Sequence, residues 1–100
     1  MNTITKISDI TYNDLASFLR LVELSLDDEN TLVTLLGVAK NFVSKYTGRS
    51  LEELDEYQDM VIVIFILVQD MWDNRTMYIN EKNLNNTIIT ILNLHSVNLL

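Results

Sequence analysis

The sequence predicts an all-α domain, a compact bundle of about four helices with a long second and a long third helix. Three observations point there. Proline is absent and glycine occurs only twice, which removes the residues that punctuate turn-rich sheet proteins. Apolar residues recur three and four positions apart over long stretches, the spacing that gathers them on one side of a helix. A hydroxyl residue also stands three positions before an acid at Thr11 and Asp14, and again at Ser50 and Glu53. That pairing is the reciprocal cap that opens a helix.

After an irregular start over residues 1–10, the first helix is expected from Tyr12 to Val22, burying Leu15, Phe18, Leu19 and Val22. "SLDDENT" then supplies Asp27, Asp28 and Glu29, acids that suit the positive end of a second helix. Its apolar stripe is Leu32, Leu35, Leu36, Ala39, Phe42, Val43 and Tyr46. Gly48 terminates it, since glycine enters the left-handed region freely, and Lys45 and Arg49 suit its negative end. Gly37, inside this helix, reads either as a point of close packing or as chance retention.

A third helix is expected from the Ser50 cap through Leu54, Tyr57, Val61, Ile64, Phe65, Val68, Met71 and Trp72. The β-branched run Met60 to Val68 also fits a buried strand, but helical spacing over more than four turns exceeds an ordinary strand. A polar connection, "NEKNLNNT", leads to a short fourth helix capped by Asn86 or Thr87, with Ile88, Ile91 and Leu92 facing inward. Residues 96–100 form a tail that could dock elsewhere.

The whole is one domain over residues 1–100, with room for a single core. Fourteen acids against seven bases give a formal net charge of -7, which repels polyphosphate and disfavours sequence-reading of nucleic acid. No secretory signal is expected from "MNTITKISDITYNDL", which lacks a long apolar core after Lys6. The apolar run "MVIVIFILV" is about half of a bilayer span, so no membrane association is expected. Cysteine is absent and histidine occurs once, leaving no thiol nucleophile and no ordinary zinc ligand set. "DDEN" lacks the alternating ligands and central glycine of a calcium loop, and no glycine-rich phosphate cradle exists. No enzymatic activity, cofactor or metal is expected. His95 reads as a packed or surface histidine.

Two clusters carry candidate chemistry. "LEELDEYQD" places Glu52, Glu53, Asp55, Glu56 and Asp59 in one run, either a solvated helix start or a surface for a basic partner. "DMWDNRTMY" closes the most apolar stretch with Trp72, Asp73 and Arg75. On a helix, Trp72 and Arg75 share a face, so the guanidinium lies on the indole or reaches a carboxylate on another chain.

In order, "DLASFLRL" at Asp14 to Leu21, the acidic turn "DDENT", Tyr46-Thr47-Gly48-Arg49 and Asp73-Asn74-Arg75 resemble the small helical head-tail connector, or adaptor, family of tailed double-stranded DNA bacteriophages and prophages. The resemblance spans about Ile10 to Leu94. The chain departs from the family's pattern in lacking proline and in its ending "LHSVNLL", which does not match a proline-aromatic-basic terminus. The resemblance implies a structural subunit of the virion, made in the bacterial cytoplasm. It implies a ring of roughly a dozen copies beneath the portal, bound to the portal protein and to a tail-completion or stopper protein. The interaction residues expected on this reading are Lys45, Arg49, Glu52, Glu53, Glu56, Trp72, Asp73 and Arg75, with opposite charges setting the register between neighbours. The rival reading is a small acidic helical regulator, of anti-repressor or antitoxin type, that occludes a protein partner.

Overall fold

A computed structural model describes residues 4–97. Over these the protein is an all-α bundle of five helices with no strand. They are α1 (Tyr12–Phe18), α2 (Leu26–Thr47), α3 (Leu51–Leu54), α4 (Asp59–Asn74) and α5 (Asn86–His95), with 3-10 turns at Ile7–Asp9 and Glu81–Asn83.

The pair α2 and α4 forms the backbone of the bundle. They run antiparallel: Asp28, Thr31 and Leu35 at the start of α2 border the same depression as Met71 and Trp72 at the end of α4. Leu32, Leu35, Leu36, Ala39 and Val43 of α2 are buried, as are Met60, Val61, Val63, Ile64, Leu67, Val68 and Met71 of α4. The β-branched run is thus helical, because only helical spacing turns Ile64, Leu67, Val68 and Met71 together onto α2. The chain then returns from the end of α4, so α5 lies alongside α2 and buries Ile88 and Leu92.

Three helix starts carry reciprocal caps. Thr11 with Asp14 and Ser50 with Glu53 follow the sequence expectation. The third, Ser25 with Asp28, opens α2, where the sequence had shown only favourable acids. α5 is capped by Asn85, whose side chain accepts from the Thr87 N–H at 2.7 Å, one or two positions before the residues expected to cap it.

Several expectations are corrected. The first helix stops at Phe18, not Val22: Arg20 turns into the left-handed region at φ 60, and the Leu21 N–H bonds back to the Ala16 carbonyl. Val22 consequently lies 94% exposed, and Phe18 sits at the surface stacked on Phe65 with ring centroids 5.0 Å apart. The expected third helix is divided into α3 and α4. Asp55 accepts from both the backbone N–H and the hydroxyl of Ser8, at 3.0 and 2.7 Å. The segment 55–58 advances through tight three-residue bonds (Glu56 to Glu53, Tyr57 to Leu54) rather than α-helical ones. Gly37 is exposed, and a Cβ there would meet nothing within 4 Å, so close packing does not explain it. The start of the chain contributes to the core, with Ile7 and Ile10 buried.

Candidate interaction surfaces

The eight residues singled out for partner contact fall at opposite ends of the α2/α4 pair. Lys45, Arg49, Glu52, Glu53 and Glu56 gather where α2 ends and α4 begins, while Trp72, Asp73 and Arg75 gather where α4 ends. The 16 residues of α4 hold the two groups roughly 24 Å apart at the helical rise.

At the first end, Gly48 closes α2 in the left-handed conformation at φ 72. The chain therefore reverses and aims Arg49 back across the helix ends. Its Nε donates to the His95 carbonyl at 2.6 Å, Nη1 donates to Glu53 Oε2 at 3.2 Å, and the guanidinium lies 5.5 Å from the centre of the Tyr57 ring. Tyr57 stacks on the His95 imidazole with centroids 4.1 Å apart, and His95 Nε2 lies 2.9 Å from Asp59. The Val97 N–H donates to the Thr47 carbonyl at 2.8 Å, and Tyr46 donates its hydroxyl proton to Asn93 at 2.9 Å. Together these bonds fasten the end of α5 to the α2–α3–α4 corner.

Glu53 has its carboxyl held below the ordinary glutamate value of 4.5, first because the Ser50 backbone N–H donates to it, then through the Ser50 hydroxyl and Arg49. Its oxygens are occupied by the cap and the guanidinium. Arg49 and Glu53 are thus consumed within the chain. Lys45, Glu52 and Glu56 are exposed, and among the described residues none of the three forms an ion pair.

At the far end, Arg75 ends α4 in the left-handed region at φ 55, its N–H and that of Thr76 both returning to the Met71 carbonyl. Arg75 therefore stands past the last turn, and among the described residues its guanidinium does not stack on Trp72, one of the two readings the sequence left open. Its side chain makes no hydrogen bond or ion pair among the described residues. Trp72 is half-buried against the core, and Asp73 is exposed. With Met77 (55% exposed), Thr31 and Asp28 they line an open depression of about 600 Å³. Its neighbour across Met71 and Thr76, about 360 Å³, is bordered by Tyr78 and Asn80.

One pairing of consequence gave no sequence signal. His95 and Asp59 meet across 36 positions, a separation that no local pattern encodes. Met77 and Tyr78 close the stretch from Asp70 to Tyr78 that the sequence had marked. Chemically, the His95 ring is stacked on Tyr57 and its Nε2 is engaged by Asp59. Among the described residues no three metal-ligating side chains converge, and no helix is long and apolar enough to cross a membrane. One end is thus occupied by its own ion pair and ring stacking, and the other leaves Arg75, Asp73 and Met77 exposed around an open depression. No family model, curated protein or solved structure matches the chain.

Proposed function

We propose that the protein is a head-tail connector subunit of a tailed double-stranded DNA bacteriophage or prophage. It acts as a structural, non-enzymatic component of the virion at the head-tail junction. It assembles as a ring of roughly a dozen copies beneath the portal, bound there by portal and stopper or tail-completion proteins, and continues the DNA channel.

The observation that carries this reading is the ordered set of motifs, each of which falls at a helix boundary. "DLASFLRL" spans α1 and its left-handed stop, "DDENT" opens α2, Tyr46 to Arg49 close it, and Asp73 to Arg75 close α4. A helical bundle with a net charge of -7 also suits a channel wall that must pass DNA without retaining it, since phosphates are repelled.

The test is affinity purification of the tagged protein under phage-producing conditions, with mass spectrometry of what accompanies it. Portal and tail-completion proteins are the expected companions, and ring-shaped particles the expected image. Recovery of a single regulator or toxin without virion proteins would overturn the proposal in favour of an occluding module.

A further inference from the structure

The side of α2 turned away from the core is uncovered among the described residues. Leu32, Leu35, Leu36, Ala39 and Val43 face inward, and on the opposite side Asn30, Val33, Thr34, Gly37 and Asn41 are exposed. Their spacing of three and four gathers them into one stripe along the helix, and Leu26, 71% exposed, continues it toward the helix start. We propose that this stripe packs against the same stripe of a second copy, the two α2 helices lying antiparallel about a two-fold axis that passes between residues 35 and 36. The inference does not rest on the ring reading. A two-fold contact closes after two copies, so the pair is a state of the free protein and not the neighbour contact of a ring.

Three observations argue for it. First, the stripe is uncharged. Charged residues make up 21% of the chain, yet none occupies an exposed position of α2 from Asn30 to Asn41. The solvent side of a helix ordinarily carries charges, whereas their depletion around an apolar side chain marks the centre of a protein contact. Val33, 54% exposed, is that side chain.

Second, the stripe forgoes helix stability that the fold does not use. Asparagine, threonine and glycine are weak helix formers, and at exposed positions alanine, lysine or glutamate would serve the helix better. The Thr34 hydroxyl donates to the Asn30 carbonyl at 3.0 Å, while the side-chain amides of Asn30 and Asn41 bond nothing among the described residues. A Cβ at Gly37 would meet nothing within 4 Å, so nothing inside the chain requires glycine there. Against a second helix the same residues have a use. Glycine and threonine at the contact shorten the distance between helix axes, and facing amides bond each other.

Third, the stripe complements its own reverse. With the axis between residues 35 and 36, Asn30 stands opposite Asn41 of the second copy and Thr34 opposite its Gly37, so amide meets amide and small residue meets small. Charges border the stripe, Asp27 and Lys45 along one edge, Glu29 and Lys40 along the other. The two-fold axis brings each edge against its own copy with the direction reversed. Asp27 then meets Lys45 and Glu29 approaches Lys40, each twice, and none of the four forms an ion pair within the described chain. A parallel pair would instead oppose each charge to itself, so the borders select the antiparallel arrangement.

The absence of cysteine permits a direct test by disulfide trapping of the full chain. Asn30→Cys and Asn41→Cys variants are oxidised separately and as an equimolar mixture. The two positions lie about 16 Å apart along the helix, so an antiparallel pair joins one to the other and neither to itself. The mixture should yield a covalent dimer with one chain of each kind, well above the yield of either variant alone. A chain carrying both substitutions should stop at the dimer. Equal trapping of each variant with itself, or a ladder of multimers from the doubly substituted chain, would overturn the proposal.

A second measurement needs no thiol. Sedimentation equilibrium of the parent chain should show a reversible monomer–dimer equilibrium. Gly37→Glu, placed in open space, keeps the fold and should abolish the dimer by setting like charges across the axis. Val22→Glu, on the 94% exposed bend, should leave it unchanged. Asp27→Lys or Lys45→Asp alone should weaken association roughly tenfold, and the chain carrying both should regain it. Within one helix those two positions stand about 27 Å apart, beyond the reach of screened charges, so recovery belongs to the pair. A parent chain still monomeric at about 1 mM, or association indifferent to Gly37→Glu, sinks the proposal. Virion proteins recovered with a chain that is monomeric when free would remove this contact and leave the connector reading intact. A dimer that meets these tests in a chain that recovers no virion proteins does the reverse.

Discussion

Two helices of this protein end on an arginine in the left-handed region, Arg20 at φ 60 and Arg75 at φ 55. A β-carbon in that conformation crowds the following carbonyl at a cost of about 1–2 kcal/mol, which glycine avoids. Arg75→Gly should therefore raise the unfolding free energy by about 1 kcal/mol in denaturant titrations. Gly37 presents the opposite case. It lies in ordinary helical backbone, exposed, with open space where an alanine methyl would stand, so Gly37→Ala should stabilise the fold by about 0.5–1 kcal/mol, read as a higher melting temperature. Glu53 adds a pH dependence. Its folded-state value is depressed, chiefly by the Ser50 backbone N–H, so it binds its proton less readily folded than unfolded. Its stabilisation is then present above the ordinary glutamate value and is lost as pH falls through the lower, folded one. Glu53→Gln should accordingly narrow the stability difference between pH 7 and pH 3 relative to the parent chain, measured by thermal melts at both.

The elements were legible in the sequence where a local rule set them. The stripe from Leu32 to Val43 marked α2, the hydroxyl-acid pairs at Thr11 and Ser50 marked two helix starts, and Gly48 marked a helix end. Where distant residues decide, the pattern was silent. Nothing around Leu54 announces that α3 must bend before α4. The bend is held by Ser8, 47 positions away on Asp55, and by Tyr57 turning to stack on His95. α1 and α4 end without glycine, so the residue type that signals a left-handed stop was missing from both. The same contrast runs through the candidate surfaces. Their residue types were visible as clusters, yet only the fold shows that Arg49 and Glu53 serve the chain's own corner. That corner is sensitive at the element level. Leu92 is fully buried on α5, and Leu92→Ala should cost about 2–5 kcal/mol, read by chemical denaturation. It should also loosen the fastening of His95 to Asp59.

Across the whole molecule, the long antiparallel pair gives an elongated body, 46 by 30 by 19 Å, whose two ends are chemically unlike. An object of that kind has a direction. Its interior needs none of its charges: among the described residues the core is aliphatic, and Thr47, its buried polar residue, is satisfied by the Val43 carbonyl at 2.7 Å. The net charge of -7 is consequently free to shape what the surface attracts or repels.

The fastening at the α2–α3–α4 corner has a topological consequence. Ser8 is held there by Asp55 and Val97 by Thr47, so residues 8 and 97 meet at one corner although the chain between them travels the length of the bundle and back twice. A short flexible linker joining the two ends, with the chain reopened in the exposed bend at residues 22–23, should yield a circular permutant that melts as cooperatively as the parent. In such a rearranged chain the Arg75 end would carry the new termini, and any fusion partner attached to them would sit beside the depression lined by Trp72, Arg75 and Met77.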